Sequence, residues 1–83
     1  MPDLYDEIVG EVLKDSREKL GLSQAEAGRE IGVTGATMSN WENARSRLPV
    51  VTLMRYSLHV LGEHPSDVMR RIEQRLLGEA DTY

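Results

Sequence analysis

The sequence has no cysteine and no phenylalanine, and aromatic residues make up only 5% of its 83 residues. Without cysteine, neither a disulfide bond nor a cysteine-ligated zinc ion can stabilise a chain of this length. Without phenylalanine, the core must be built mainly from leucine, isoleucine, valine and methionine side chains. A core this small would gain stability from self-association, so the composition favours a homodimer.

Long hydrophobic runs are also missing from the sequence. No apolar stretch approaches the roughly 20 residues that cross a bilayer, and no signal-peptide pattern begins the chain. We therefore expect a cytoplasmic protein that makes no membrane contact. The length predicts a single domain over residues 1–83, with frayed tails at residues 1–3 and 79–83.

Positive charge is scarce, because 10 lysine and arginine residues face 14 acidic ones and the net charge is −4. A negative total argues against nucleic-acid binding, but the charges are unevenly distributed. Residues 34–59 hold three basic residues and one acidic residue, whereas residues 1–33 and 60–83 are each net acidic. Since affinity for DNA depends on the charge that faces the phosphates, the total does not exclude an interface at the basic segment.

Apolar residues at helical spacing predict five helices, and no segment shows a convincing strand pattern. The fold class is therefore all-α, a five-helix bundle. The first helix runs from Leu4 towards Gly21, and Gly10 inside it costs about 1 kcal/mol relative to alanine. A close helix crossing at that glycine would explain its presence.

The predicted fourth and fifth helices, over residues 50–61 and from residues 64–66 to Gly78, each have an apolar stripe. The fourth is predicted to direct Val51, Met54, Leu58 and Leu61 inward and Arg55 and His59 outward. The stripe on the fifth either packs on the bundle or is partly buried against a second chain. In the second case the dimer interface consists of Met69, Ile72, Leu76 and Leu77.

Two short helices and a tight turn are predicted at about residues 23–43. Ser23 and Glu26 fit a capping box, in which each side chain satisfies a backbone N–H of the first turn. Gly32 ends that helix, because a left-handed backbone costs glycine almost nothing, and Thr34 can cap the next. Gly28 falls where two crossing helices leave no room for a long side chain. This layout is a helix-turn-helix, whose second helix enters the DNA major groove.

Several motifs in this stretch resemble the phage-repressor/Cro-type (XRE family) helix-turn-helix regulators. The resemblance covers about residues 13–77 and rests on Arg17, Gly21-Leu22-Ser23-Gln24, Ile31-Gly32-Val33-Thr34, Met38-Ser39-Asn40-Trp41-Glu42 and Leu61-Gly62. It implies a lambda-repressor-like DNA-binding domain and a sequence-specific transcriptional regulator that contacts double-stranded DNA. At Ala44, by contrast, relatives usually carry the glycine that follows the recognition helix.

The resemblance also implies roles for individual residues. Gln24 looks like the glutamine that binds a DNA phosphate beside the groove. Arg17 and Glu42 resemble a buried structural ion pair. The remaining positions match residues that face bases or the DNA backbone, namely Thr34, Gly35, Ala36, Thr37, Ser39, Asn40, Asn43, Arg45 and Arg47.

The chemistry of these side chains limits what the second helix of the motif can recognise. Asn40 can make the paired hydrogen bonds that adenine favours, and the alternative is that it is a solvated helix residue. Thr37 offers a methyl and a hydroxyl, and the helix has no arginine for guanine. We therefore expect A·T-biased readout, with much of the affinity from phosphate contacts. Arg45 and Arg47 fit such contacts, unless they belong to a solvated loop.

Catalytic and metal-binding patterns are not recognisable in the sequence. His59 and His64 lack ligand partners at suitable spacing, and no nucleophile lies in a motif with a base. We expect no enzyme activity, no cofactor and no metal. The leading hypothesis is a dimeric repressor on a palindromic operator. The alternative is an antitoxin-like or degenerate helix-turn-helix that acts as a protein-interaction module and binds a partner protein.

Overall fold

A computed structural model of the chain describes the backbone of residues 3–81 and the side chains of residues 3–78. Within that range the protein is all-α and has no strands, which confirms the prediction of a five-helix bundle. The helices are α1 (Leu4–Lys19), α2 (Gln24–Glu30), α3 (Gly35–Glu42), α4 (Val50–Arg55), which continues directly as a π-helical segment (Tyr56–Leu61), and α5 (Pro65–Asp81). None of these helices is long and apolar enough to cross a membrane.

Local capping signals define the bounds of α2 and α3. The Ser23 hydroxyl accepts from the Glu26 N–H at 3.0 Å, and the Glu26 carboxylate accepts from the Ser23 N–H at 2.9 Å. Gly32 follows α2 with φ = 77°, a left-handed conformation that glycine adopts without strain. The Thr34 hydroxyl then accepts from the Thr37 N–H at 3.1 Å and caps α3. Each of these capping hydrogen bonds joins residues only three positions apart in the sequence.

Side chains from four parts of the chain meet in the core. Leu13 on α1, Met38 on α3, Tyr56 on the π-helical segment and Val68 on α5 are all at most 1% exposed. The Tyr56 hydroxyl also donates to the Leu13 carbonyl at 3.2 Å, so its polar end is satisfied inside the core. The core therefore joins the helix-turn-helix to both ends of the chain.

Two glycines allow backbones to approach closely. A Cβ added at Gly10 would lie 2.5 Å from the Glu42 carbonyl oxygen, because α1 crosses the end of α3 there. A Cβ at Gly28 would lie 2.6 Å from the Val33 carbonyl oxygen. Any larger residue at these positions would push α3 away from the elements that support it.

The predicted inward face of the fourth helix is wrong at three of its four positions, whereas Leu61 packs against the core and Arg55 and His59 are exposed as predicted. Val51, Met54 and Leu58 are between 48% and 62% exposed, whereas Leu53 and Tyr56 are buried. Two apolar stripes are possible on this short helix, one with Val51, Met54 and Leu58 and one with Leu53 and Tyr56. The second stripe faces the core, because the large Tyr56 side chain packs there and hydrogen-bonds to α1. The π-helical segment has i→i+5 hydrogen bonds and therefore more residues per turn than an α-helix. This changes which of its side chains face the core, relative to a regular α-helix.

The chain ends differ in part from the predicted tails. Asp3 caps α1 by accepting the Asp6 N–H at 2.9 Å. α5 continues past Gly78 to Asp81. The remaining residues of the predicted tails, 1–2 and 82–83, lie outside the described part of the chain.

Candidate nucleic-acid interface

One face of α3 and its C-terminal end is exposed and carries small or amide side chains. Ala36, Asn40 and Asn43 lie at intervals of four and three residues, so they share one side of the helix, and all three are exposed. Met38 and Trp41 on the opposite side are 0% and 9% exposed and anchor the helix in the core. The amide of Asn40 makes no side-chain hydrogen bond within the described residues, which leaves its donor and acceptor available to a ligand.

The N-terminus of α3 lies against α2. A Cβ at Gly35 would be 3.2 Å from the Ala25 backbone nitrogen, so only a very small residue fits at this crossing. The Thr34 and Thr37 hydroxyls lie 3.0 Å apart and hydrogen-bond to each other. Thr37 is half-buried, and its hydroxyl already shares one hydrogen bond with Thr34. Because a hydroxyl has one donor and two acceptor positions, it can still contact a base.

An open groove of about 650 Å³ runs between the two helices of the motif. Its lining consists of Ala25, Arg29, Gly32, Val33, Thr34, Gly35 and Thr37. Arg29 is exposed in the last turn of α2 and places a positive charge beside the start of α3. Arg29 is not among the site residues predicted from the sequence. Its position as a base in the last turn of α2 is the signal that could have identified it.

The C-terminal end of α3 is held by side-chain hydrogen bonds. The Asn43 amide donates to the Ser39 carbonyl at 2.9 Å and to the Ser39 hydroxyl at 3.2 Å. Ala44 follows with φ = 57°, a left-handed conformation that is uncommon for residues other than glycine. The backbone therefore makes a left-handed turn at Ala44, the position where the resemblance leads us to expect glycine.

The two arginines of the loop after α3 are in different states. Arg45 is exposed and makes no ion pair within the described residues, while its backbone N–H donates to the Asn40 carbonyl at 2.8 Å. Arg47 forms a two-pronged ion pair with Asp6, with Nε–Oδ1 at 3.1 Å and Nη2–Oδ2 at 3.3 Å. Of the two, only Arg45 offers an uncommitted guanidinium.

A buried ion pair connects α1 to the end of α3. Arg17 Nε and Nη2 donate to the two carboxylate oxygens of Glu42 at 2.7 and 2.9 Å, with 10% and 1% of the two side chains exposed. Arg17 Nη1 also donates to the Leu22 carbonyl at 2.7 Å. The hydrogen bond with Glu42 raises the pKa of Arg17, so this guanidinium stays charged.

Gln24, the first residue of α2, joins this network. Its amide nitrogen donates to Glu42 Oε1 at 3.0 Å. The carboxylate therefore fixes the orientation of a side chain that the resemblance assigns to a DNA phosphate. One amide hydrogen of Gln24 remains for an external acceptor, because a primary amide has two donors.

The residues assigned to a dimer interface on α5 do not form one uniform surface. Met69 and Leu77 are 50% and 57% exposed. Leu76 is half-buried, and Ile72 is only 5% exposed because it belongs to the core of the protomer. A shallow groove of about 520 Å³ runs along this helix, with Met69, Ile72 and Leu76 among its lining residues.

Within residues 3–78, no three histidine, aspartate or glutamate side chains cluster as a metal site requires.

Comparisons with known proteins address the fold and the family. The chain has a TM-score of 0.84 with the clp gene regulator ClgR from Corynebacterium glutamicum, at 22% identity over 99% of this chain and 86% of that one. A second structure of ClgR has a TM-score of 0.78 with this chain, at 23% identity over 88% of this chain and 94% of that one. Hydroxypropylphosphonic acid epoxidase from S. wedmorenis has a TM-score of 0.66, at 31% identity over 76% of this chain but only 33% of that enzyme.

At the level of sequence, no curated protein is significantly similar to this chain. The family model described as "Helix-turn-helix domain" matches residues 8–73, which include most of α1, all of α2 to α4 with the π-helical segment, and about half of α5. The chain belongs to the helix-turn-helix domain family.

Proposed function

We propose that the chain is a sequence-specific DNA-binding transcription regulator of the phage-repressor/Cro type, with α3 in the major groove. The observation that supports this proposal most directly is the exposed face of α3 with Ala36, Asn40 and Asn43. The opposite side of the same helix is packed in the core, which holds this face in place. Membership of the helix-turn-helix family supports the same function. The Cro-type assignment is supported by the Arg17–Glu42 pair and by the motifs around it.

Base readout in this proposal depends chiefly on Asn40. Its free amide can make a two-point contact with the edge of adenine, and such a contact discriminates by about 1–3 kcal/mol. Ala36, one turn earlier, can only allow close approach or touch a thymine methyl group. We therefore infer a short A·T-biased recognition sequence.

Phosphate contacts supply the remaining affinity. Within the described residues, Arg45 is the basic side chain of the loop without an acidic partner. Arg29 borders the groove between α2 and α3, and Gln24 begins α2. Contacts of this kind position the helix and make binding salt-dependent, with each neutralised phosphate adding about 0.9 to the slope of log K against log salt.

A mobility-shift titration against the protein's own promoter at several salt concentrations tests the proposal. Arg45→Ala should weaken binding equally on all sequences and lower the salt slope by about 1. Asn40→Ala should lower affinity mainly for the preferred sequence, by about 1–3 kcal/mol. Lys19→Ala is the charge-matched control, because Lys19 is exposed at the end of α1 beside Leu61 and Glu63, and it should leave binding nearly unchanged. The absence of any shift at low salt would contradict the proposal.

We further propose that the protein is a homodimer that binds a palindromic operator and represses by competing with polymerase. Two helix-turn-helix units on such a site place their recognition helices about 34 Å apart. Met69 and Leu77 on α5 supply exposed apolar surface for the second copy, beside the groove of that helix.

Sedimentation of two matched variants tests the position of this interface. Leu77→Glu should shift the protein towards the monomer, because it places a charge in the contact. Leu58→Glu changes an equally exposed leucine on the π-helical segment and should leave the dimer intact. If Leu58→Glu alone produced monomers, the dimer would form through the face that contains the π-helical segment instead.

A protein-interaction module is the second candidate function. It is favoured by the exposed apolar side chains on α4 and the π-helical segment, Val50, Val51, Met54 and Leu58. The fold also occurs as about a third of the epoxidase chain, so it is not restricted to free-standing regulators. Under this candidate, Met54→Glu would abolish binding of a partner protein, and no promoter fragment would shift at low salt.

A further inference from the structure

Arg47 is held by two aspartates at the opposite end of the sequence. Its guanidinium forms a two-pronged pair with Asp6 at 3.1 and 3.3 Å, and Asp3 Oδ2 lies 3.6 Å from Nη2. Asp3 also caps α1, which fixes its carboxylate. The Asp6 side chain is only 15% exposed, although that of Arg47 is 74% exposed. The arginine therefore leans from the loop onto a fixed acidic surface.

The charge state of both groups agrees with this contact. The hydrogen bond from Arg47 is the main cause that lowers the pKa of Asp6, and the same bond raises the pKa of Arg47. Arg45, two residues earlier in the same loop, has no such partner within the described residues. The loop thus contains one free and one occupied guanidinium.

We propose that Asp6, supported by Asp3, is an intramolecular competitor that holds Arg47 away from the DNA backbone. This inference depends on the proposed DNA-binding function. A guanidinium binds a carboxylate and a phosphate through the same two-pronged geometry, so a close pair with Asp6 occupies the donors that a phosphate would use. Arg47 contributes to DNA binding only after that pair opens.

The competition lowers affinity for every DNA sequence equally, because phosphate contacts are independent of base identity. It therefore suppresses non-specific binding and leaves the discrimination made by α3 unchanged. The free energy of an ion pair at the protein surface corresponds to a change in DNA affinity of about two- to five-fold.

The test is a double-mutant cycle measured by fluorescence anisotropy on one DNA duplex at fixed salt. Asp6→Asn removes the competitor and keeps the shape of the side chain. Glu7→Gln is the matched control, because it removes the same charge from the same turn of α1 at a residue with no ion pair among those described. Both are measured in wild type and in the Arg47→Ala background, with thermal melts to show that each variant folds.

With Arg47 present, the Asp6→Asn protein should bind the duplex about two- to five-fold more tightly than the Glu7→Gln protein. In the Arg47→Ala background this difference should vanish. A difference that persists without Arg47 would mean that Asp6 acts by long-range repulsion. That result would overturn this inference but not the proposed DNA-binding function. Equal affinities of the Asp6→Asn and Glu7→Gln proteins would overturn it as well. If wild type bound no duplex even at low salt, the proposed function itself would fail.

Discussion

Removal of the Glu42 carboxylate should strongly destabilise the fold, since this group joins three elements. It accepts two hydrogen bonds from Arg17 on α1 and one from Gln24 on α2, while Glu42 itself ends α3. Only 1% of its side chain is exposed. Glu42→Ala would leave the Arg17 guanidinium in the same low-exposure site with the Leu22 carbonyl as its remaining partner.

The expected loss is about 3–5 kcal/mol, the usual cost when one member of a buried pair is removed. For a domain of this size, 1 kcal/mol corresponds to about 4–8 °C in melting temperature. The Glu42→Ala protein should therefore melt at least about 12 °C below wild type. Since small domains have a total stability of about 5–15 kcal/mol, a substantial unfolded population is also expected near 37 °C.

The assay is thermal and urea unfolding followed by circular dichroism, with a double variant as the control. Arg17→Met combined with Glu42→Leu removes both charges, so it should be more stable than either single variant. A Glu42→Ala melt within about 4 °C of wild type would refute the reasoning, because that difference corresponds to about 1 kcal/mol or less. Additive effects of the two single changes in the double variant would also contradict it.

Two further predictions concern stability. Gly10→Ala should destabilise by about 1–3 kcal/mol in urea unfolding, because its Cβ would meet backbone oxygens at 2.5 and 2.7 Å. Gly78→Ala, with nothing within 4 Å, should instead stabilise by up to about 1 kcal/mol; equal effects of the two changes would exclude the crossing as the reason for Gly10. Arg71 lowers the pKa of Glu63 in the folded state. The pair therefore stabilises above the unfolded pKa, near 4.5, and this contribution is lost as the pH falls through the folded value. Melts of Glu63→Gln should lie below those of wild type at pH 7 and approach them at pH 3, and a constant difference across that range would contradict the assignment.

Short-range signals in the sequence predicted the elements of the fold well. The capping box of Ser23 and Glu26, the left-handed Gly32 and the Thr34 cap each depend on residues within a few positions. Such interactions are decided locally, so the sequence shows them directly. Gly10 was recognisable as an anomaly, but the oxygen atoms that it avoids belong to α3 and became visible only in the structure.

Interactions between distant parts of the chain were harder to predict. The inward face of the fourth helix depended on whether Tyr56 or Val51 packed against α1, and periodicity alone favoured the wrong stripe. The pair of Arg47 with Asp6 joins residues 41 positions apart, and no local pattern indicates it. Arg29 was missed for a related reason, because its place beside α3 follows from the angle between two helices.

The most direct test of the central claim, that the exposed face of α3 reads DNA, is selection of bound duplexes from a random pool. Wild type should enrich a short two-fold symmetric sequence with an A·T preference, and Asn40→Ala should lose the preference at one base pair per half-site while keeping the rest. Enrichment of no sequence, or an identical motif from Asn40→Ala, would contradict the account.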